Sequence, residues 1–171
     1  MRKISFAIIA VMLFVCGCTD YIENGTNHLN KGNYEKAVQA FQKEIDDEDN
    51  LDQAYRGMGI AQYELGNYEL ALEAFDGALK NKAAETAELC AIMGACYMKI
   101  ENFEKAIEVY EKALAKKGIS KELKQEVQYN MIAAYEFMGN WDMAKTMMET
   151  YVEQYPDDTR VDKEADFLET R

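Results

Sequence analysis

The chain is poor in residues that interrupt helices and in residues that most often carry out chemistry. Its 171 residues include a single proline, Pro156, and a single histidine, His28. One proline in this length leaves long stretches free to be helical, and abundant Ala, Leu, Glu, Lys, Met and Gln favour helix in them. A lone histidine on the packing face of a predicted helix provides no convergent set of acid, base and nucleophile. We therefore expect an all-α protein that is not an enzyme.

Motifs that bind phosphates or metals, or that position nucleophiles, are missing as well. The sequence contains no Gly-x-Ser-x-Gly, no His-Glu-x-x-His and no phosphate-binding glycine loop. Cys90 and Cys96, on one predicted helix, point too far apart to form a disulfide, and no Cys-x-x-Cys accompanies them. The acidic run from Asp46 to Asp49 lacks the alternating ligands and central glycine of a calcium loop. We expect buried free thiols, no metal and no cofactor.

Positive charge is scarce. The chain has 19 basic and 31 acidic side chains, which give a net charge of -12. A surface of this sign repels phosphate backbones, so we expect no nucleic-acid partner. The excess acid either keeps the protein soluble or attracts a cationic partner, and the sequence leaves both readings open.

One long apolar run is present, at the N-terminus. Basic Arg2 and Lys3 precede an almost wholly apolar segment over residues 4–15. This segment is shorter than the about 20 residues that a membrane-spanning helix needs, and it is typical of an export signal. Val15-Cys16-Gly17-Cys18 resembles the bacterial lipobox, which implies cleavage after residue 17 and lipidation of Cys18. The alternative is an ordinary secretory signal with two incidental cysteines.

The lipobox resemblance implies a lipoprotein attached to a membrane at its extracytoplasmic face. A diacylglyceryl anchor supplies two acyl chains, which suffice for stable attachment where one would be marginal. Thr19 and Asp20, which follow Cys18, leave open whether this is the cell membrane or the outer membrane of a Gram-negative envelope.

A short segment built on asparagine and an aromatic residue recurs four times. Gly32-Asn33-Tyr34 returns as Gly66-Asn67-Tyr68, then as Glu101-Asn102-Phe103 and Gly139-Asn140-Trp141. The asparagines are therefore 34, 35 and 38 residues apart. A period in this range predicts stacked supersecondary units rather than one globular core.

Glycine ends the first helix in three of the four copies. Gly32, Gly66 and Gly139 stand where a left-handed residue terminates a helix and turns the chain back. Glu101 takes this place in the third copy, so we expect that turn either to cost more free energy or to have a different shape.

These features resemble the tetratricopeptide repeat (TPR) family over about residues 20–156. In the second unit the resemblance rests on Met58, Gly59, Gly66, Tyr68, Ala71, Phe75 and Ala78. It implies an all-α, right-handed α-solenoid of about four helix-turn-helix units. The expected domains are a signal peptide at 1–17 and a solenoid at 18–156, with units at about 18–50, 51–84, 85–119 and 120–156. The fourth unit departs from the family pattern, with Ile132 for glycine and Met148 for phenylalanine.

The last segment, residues 157–171, is predicted to be a capping helix. Val161, Ala165 and Leu168 recur at helical spacing, and a solenoid needs a polar lid over its last apolar face. A partner-binding tail is the alternative.

The TPR resemblance also implies that the first helices line a concave groove. The residues it places there are Arg56, Ile60, Tyr63, Ile92, Met98, Lys99, Tyr129, Asn130 and Phe137. The basic set of the carboxylate-clamp subclass is mostly absent, and the face is apolar and aromatic. Such a face suits an amphipathic helix or an extended peptide, although the same residues could be half-buried packing.

Two functions fit these observations. The first is a membrane-anchored extracytoplasmic TPR lipoprotein that mediates protein–protein interaction through its concave groove. The alternative is a structural or assembly factor of a cell-envelope complex that acts through its convex surface. The identity of the partner and the oligomeric state stay open.

Overall fold

The computed structural model describes residues 20–161 and Leu168. In this part of the chain every regular element is helical, with a short 3-10 turn at Thr159–Val161 after the last α-helix. The α-helices are α1 (Asp20–Asn30), α2 (Tyr34–Asp46), α3 (Leu51–Glu64), α4 (Tyr68–Lys80), α5 (Ala87–Lys99), α6 (Phe103–Leu114), α7 (Lys121–Phe137) and α8 (Trp141–Gln154). The all-α prediction is confirmed. The predicted signal peptide, Cys18 and Ala165 lie outside the described residues.

The helices form two compact units, one ending at Ala84 and the other beginning at Glu85. Unit 1 contains the pairs α1–α2 and α3–α4, and unit 2 contains α5–α6 and α7–α8. Within each unit the paired helices pack together, and the second helix of the first pair packs on the first helix of the next. The two first helices of each unit also touch. This nearest-neighbour packing is that of helix-turn-helix repeats.

One type of turn joins the helices of all four pairs, and it explains why asparagine recurs. The backbone N–H groups of Asn33, Asn67, Asn102 and Asn140 each donate to the carbonyl five residues earlier, at 2.9 Å. This bond closes a Schellman motif at the end of the first helix. The same asparagine is the N-cap of the second helix, and the side chains of Asn102 and Asn140 accept a backbone N–H from it. One residue thus ends one helix and starts the next.

The residue before each of these asparagines is left-handed. Its φ is 71° at Gly32, 81° at Gly66 and 70° at Gly139. Glu101 takes the same conformation with φ of 60°, so the third turn keeps the shape of the others. A non-glycine residue in this region costs roughly 1 kcal/mol or more, because its Cβ crowds the following carbonyl oxygen. Unit 2 therefore contains one strained turn.

Aromatic rings of second helices pack onto glycines of first helices. Phe41 of α2 is fully buried against Gly25 of α1 and Gly57 of α3. A Cβ on Gly25 would lie 2.6 Å from the Phe41 ring. Tyr110 of α6 lies against Gly94 of α5 in the same way. The missing side chain is what lets the helices approach closely enough to bury each ring.

The last helix pair packs without a glycine and a ring at the equivalent positions. Ile132 occupies the glycine position and Met148 the ring position, and both are buried in one cluster. A branched side chain fills the space that glycine would leave, and the flexible thioether of methionine adapts to it. Val161 and Leu168 are buried in this cluster at 3% and 1% exposure. The capping helix over residues 157–171 stays a prediction, since only residues 157–161 and Leu168 of this segment are described.

Candidate functional site

In unit 1, the predicted partner-binding residues form one stripe on α3. Arg56, Ile60 and Tyr63 are half-buried. At about 100° per residue they fall within roughly 60° of one another around the helix axis. The fully buried Ala54 and Ala61 lie on the opposite side of α3. The side chains of the stripe are therefore not part of the core of unit 1.

Two of these side chains already make contacts within unit 1. The Arg56 guanidinium donates a hydrogen bond of 3.0 Å to the carbonyl oxygen of Ala84. The ring of Tyr63 meets that of Tyr68 edge to face, with centroids 5.7 Å apart. Both side chains are thus held in place, which lowers the entropy that a partner would have to remove.

In unit 2, the predicted residues of α5 divide into buried and accessible ones. Ile92 is only 3% exposed, so its assignment to a partner-binding surface is wrong: the side chain belongs to the buried interior. Met98 is half-buried and Lys99 is exposed. Only these last two can meet a partner without rearrangement.

Two of the predicted residues of α7 are packed against other parts of unit 2. Asn130 is 5% exposed, and its amide nitrogen has no hydrogen-bond partner among the described residues. Its burial contradicts a direct role in partner contact. Tyr129 is half-buried, and the Arg160 guanidinium lies 4.9 Å from its ring centroid. Tyr129 therefore contacts the C-terminal segment, and its place on a partner-binding surface stays a prediction.

Arg160 belongs to a polar cluster that sequence reasoning missed. We call it the C-terminal lock, formed by Gln125, Glu126, Tyr151, Asp158 and Arg160. Arg160 donates to Glu126 at 2.8 Å and to Asp158 at 2.7 Å. Asp158 also accepts from Tyr151 at 2.5 Å and from Gln125 at 2.9 Å. The lock ties the segment after α8 to α7, more than 30 residues away in the chain.

The lock shifts the protonation of its members. Hydrogen bonding to Arg160 holds the pKa of Asp158 well below its usual range, and the bond from Tyr151 adds to this. Burial, and then the hydrogen bond to Asp158, raises the pKa of Tyr151 to about 12. At neutral pH the carboxylate is therefore ionised and the phenol protonated. No local sequence signal marks this cluster, because its members come from three separate elements.

The aromatic residue of the recurring motif contacts the end of the next first helix. In unit 1, burial and the nearby Glu64 carboxylate, at the end of α3, raise the pKa of Tyr34. In unit 2, Phe103 stacks on Phe137, the last residue of α7, with ring centroids 5.2 Å apart and planes 11° apart. Phe137 is nonetheless 69% exposed. We call this pair the aromatic ledge.

The described residues contain no cluster of side chains suited to hold a metal ion. No three His, Cys, Asp or Glu side chains converge in residues 20–161 as a metal site would require. Cys90 and Cys96 are buried free thiols, and burial raises the pKa of Cys96 to about 12. None of the described helices combines the length and hydropathy needed to cross a bilayer.

Comparisons with known proteins agree with this architecture. Family models described as tetratricopeptide repeat match residues 22–88, 56–122 and 97–163. No curated protein matches the chain.

Several solved structures are similar in fold. The MamA RS-1 ArsTM double mutant is 23% identical with a TM-score of 0.75, over 91% of this chain and 86% of that one. Another MamA crystal structure is 20% identical with a TM-score of 0.74, over 86% and 78%. YrrB, described as a TPR protein with an unusual peptide-binding site, is 20% identical with a TM-score of 0.72, over 86% and 74%.

At these identities the structural likeness shows the fold alone. The family models carry more weight, because together they span residues 22–163, and two of the four recurring motifs, at 66–68 and 101–103, each fall inside two matches. The recurring motif, the four Schellman turns and the ring-on-glycine packing agree with this match. The protein belongs to the tetratricopeptide repeat family.

Proposed function

We propose that this protein is a membrane-anchored, extracytoplasmic TPR adaptor that binds a protein or peptide partner through the exposed faces of its first helices. The observation that supports partner binding most directly is the half-exposed stripe Arg56–Ile60–Tyr63 on α3. An apolar and aromatic anchor next to a cationic edge is the usual composition of a peptide-binding face. The proposal involves no catalytic residue and no cofactor.

The burial of individual side chains narrows the proposed contact set. Ile60 and Tyr63 in unit 1, and Met98 and Lys99 in unit 2, remain accessible. The peptide-binding site ascribed to YrrB supports a peptide as one form of partner. Each face is proposed by itself, as a surface of its own unit.

Crosslinking inside cells tests the partner-binding proposal. A photoreactive amino acid is placed at position 63 or 98, and at Leu70 as a control on a second helix, where the side chain is 48% exposed. We expect one protein to be captured from positions 63 and 98 and not from position 70. Equal capture from all three positions would contradict the proposed faces.

Substitution of Tyr63 provides a second test. Tyr63→Ala removes the ring that anchors the stripe, so we expect capture of the same partner to fall about tenfold, the effect of losing roughly 1.4 kcal/mol. Helical circular dichroism should not change, because Ala is the best helix former. Unchanged capture with intact helicity would refute the assignment of Tyr63.

Lipidation at Cys18 is the proposed route to the membrane. The lipobox resemblance and the two-chain anchor support it. We expect Cys18→Ala protein to move from the membrane fraction to the soluble fraction, with no incorporation of radiolabelled palmitate. Retention of the variant in the membrane fraction after export would contradict the proposed lipid anchor.

A structural role through the second helices is the second candidate. Leu70 on α4 and Val152 on α8 are large apolar side chains that are 48% and 37% exposed. Crosslinks that form only from these two positions would favour an assembly factor over the adaptor.

A further inference from the structure

The aromatic ledge of unit 2 lies at the end of α7 and is not part of the contact set proposed above on α3 and α5, although Phe137 is one of the predicted groove residues. Phe137 is the most exposed large apolar residue in the described part of the chain, at 69%. Its ring lies nearly parallel to that of Phe103 at 5.2 Å, so a stacked pair is held open to solvent. An exposed apolar side chain loses the free energy that its burial would supply, about 25 cal/mol per Å². Covering the ledge with a side chain from another molecule would therefore be favourable.

Two aromatic rings on first helices of this protein are covered by cationic side chains. In unit 1, the Lys43 ammonium lies 5.4 Å from the ring centroid of Tyr21 on α1. In unit 2, the Arg160 guanidinium lies 4.9 Å from the ring of Tyr129 on α7. Cations are attracted to the negative face of an aromatic ring. No cationic side chain of the described residues lies over Phe137 in this way.

The charges next to the ledge favour a positive ligand. Glu104 follows Phe103 and is exposed. Glu101 is exposed and has no ion-pair partner among the described residues. The nearest lysine in the sequence, Lys105, is bound to Glu108 at 2.6 Å.

One further lysine has to be counted against these carboxylates. Lys99 is exposed at the end of α5, four residues before Phe103. Two exposed carboxylates, Glu101 and Glu104, lie closer to Phe103 in the sequence than this lysine does. The net charge of -12 adds a long-range attraction for cations.

We propose that the aromatic ledge binds an arginine side chain of a partner protein, stacked on the exposed face of Phe137 and balanced by the neighbouring carboxylates. Arginine fits better than lysine because its planar guanidinium stacks on a ring and is less strongly hydrated. The ledge is a contact surface separate from the stripe on α3, and it can bind its ligand whether or not the stripe binds one.

Fluorine NMR on the full chain in uncharged detergent micelles tests this directly. The chain contains 7 phenylalanines, which are replaced by 4-fluorophenylalanine, and the Phe137 signal is assigned from Phe137→Leu. The probe is the peptide acetyl-Gly-Arg-Leu-Arg-Gly-amide, and its control carries citrulline in place of both arginines. Citrulline keeps the shape of arginine and removes the charge. We expect saturable shifts of Phe137 and Phe103 with the arginine peptide and about two- to fivefold weaker binding of the citrulline peptide.

Variants then locate the site. Phe137→Leu keeps the apolar surface and removes the ring face, so it should weaken binding by about two- to fivefold, with the signal of buried Phe41 unchanged. Leu70→Ala is the matched control, an exposed apolar residue of unit 1 whose loss should change nothing. Tyr63→Ala should also leave peptide binding unchanged, which separates the ledge from the proposed adaptor face.

Three results would each overturn the inference. Equal binding of the arginine and citrulline peptides would mean that the ledge recognises apolar groups rather than charge. Shifts that depend on protein concentration without peptide would mean that a second copy of the chain covers it. No shift of Phe137 at any peptide concentration would mean that the ledge has no such ligand.

Discussion

Removal of the Arg160 side chain should loosen the C-terminal end of unit 2. This guanidinium bonds to Glu126 and Asp158 at 2.8 and 2.7 Å, and it covers the ring of Tyr129. The side chain of Arg160 is 35% exposed and that of Glu126 29%, whereas that of Asp158 is only 8% exposed. The three interactions therefore differ in strength.

We expect Arg160→Ala to cost about 2.5 kcal/mol of unfolding free energy. The pair with Glu126 is solvated enough to resemble a surface ion pair, about 0.5 kcal/mol. The contact with the Tyr129 ring adds roughly 0.5 kcal/mol. A hydrogen bond to a buried charge contributes about 1.5 to 3 kcal/mol. The lower end applies to Asp158, because it keeps the donors of Tyr151 and Gln125.

Urea unfolding and hydrogen exchange measure this cost. Because repeats can open locally, exchange in α8 and the residues after it is followed beside the global midpoint. Lys112→Ala is the matched control, since the Lys112–Glu108 pair at 3.0 Å is exposed on both sides. We expect it to stay within about 0.5 kcal/mol of the parent. Equal effects of the two substitutions, with unchanged exchange after α8, would refute the energetic role of the lock.

The lock also predicts a pH dependence with a definite sign. The bond from Arg160 holds the pKa of Asp158 below the value of about 3.9 expected in the unfolded chain. The unfolded state therefore binds a proton more readily, and the stabilisation is fully present above about pH 4. It is lost as pH falls further. We expect the parent to lose more stability below pH 4 than Arg160→Ala does, measured as the difference between their urea midpoints at pH 7 and pH 3.

Two substitutions test the local packing rules by urea unfolding. Glu101→Gly should stabilise the chain by about 0.5 to 1 kcal/mol, because glycine adopts the left-handed turn without strain, and a loss of stability would show that the side chain is needed. Gly94→Ala should destabilise it by about 1 to 3 kcal/mol, because the new Cβ would collide with the buried Tyr110 ring. Gly118→Ala is the control, since nothing lies within 4 Å of a Cβ there and its cost comes only from the left-handed backbone. Equal costs at Gly94 and Gly118 would contradict the packing argument.

Local features of the repeat were predictable because each depends on residues close together in the chain. A Schellman turn is closed within six residues, so Gly66 and Asn67 predict it from the local sequence alone. The strained conformation of Glu101 follows from the same alignment of copies. The pairing of a small residue with a ring one helix later is likewise periodic, which is why the exchange to Ile132 and Met148 stands out.

The exposure of the predicted partner-binding residues was less predictable. The TPR resemblance places Ile92 on the groove, yet it is buried. Tyr129 meets Arg160, which lies in a segment that has no repeat pattern to align it. The burial of a side chain depends on every residue packed around it. An alignment of repeats indicates only which neighbours are typical of the repeat, not which ones surround a particular copy.

The sequence by itself determined the family, the four helix pairs and their turns, because these arise from short-range backbone chemistry repeated along the chain. Tertiary structure decided which side chains remain available to a partner. It buried Ile92 and Asn130, placed a guanidinium over Tyr129, and left the Phe137 ring stacked and open. The reason is physical: a turn is closed by neighbours in sequence, whereas a surface is defined by what remains after distant segments have packed.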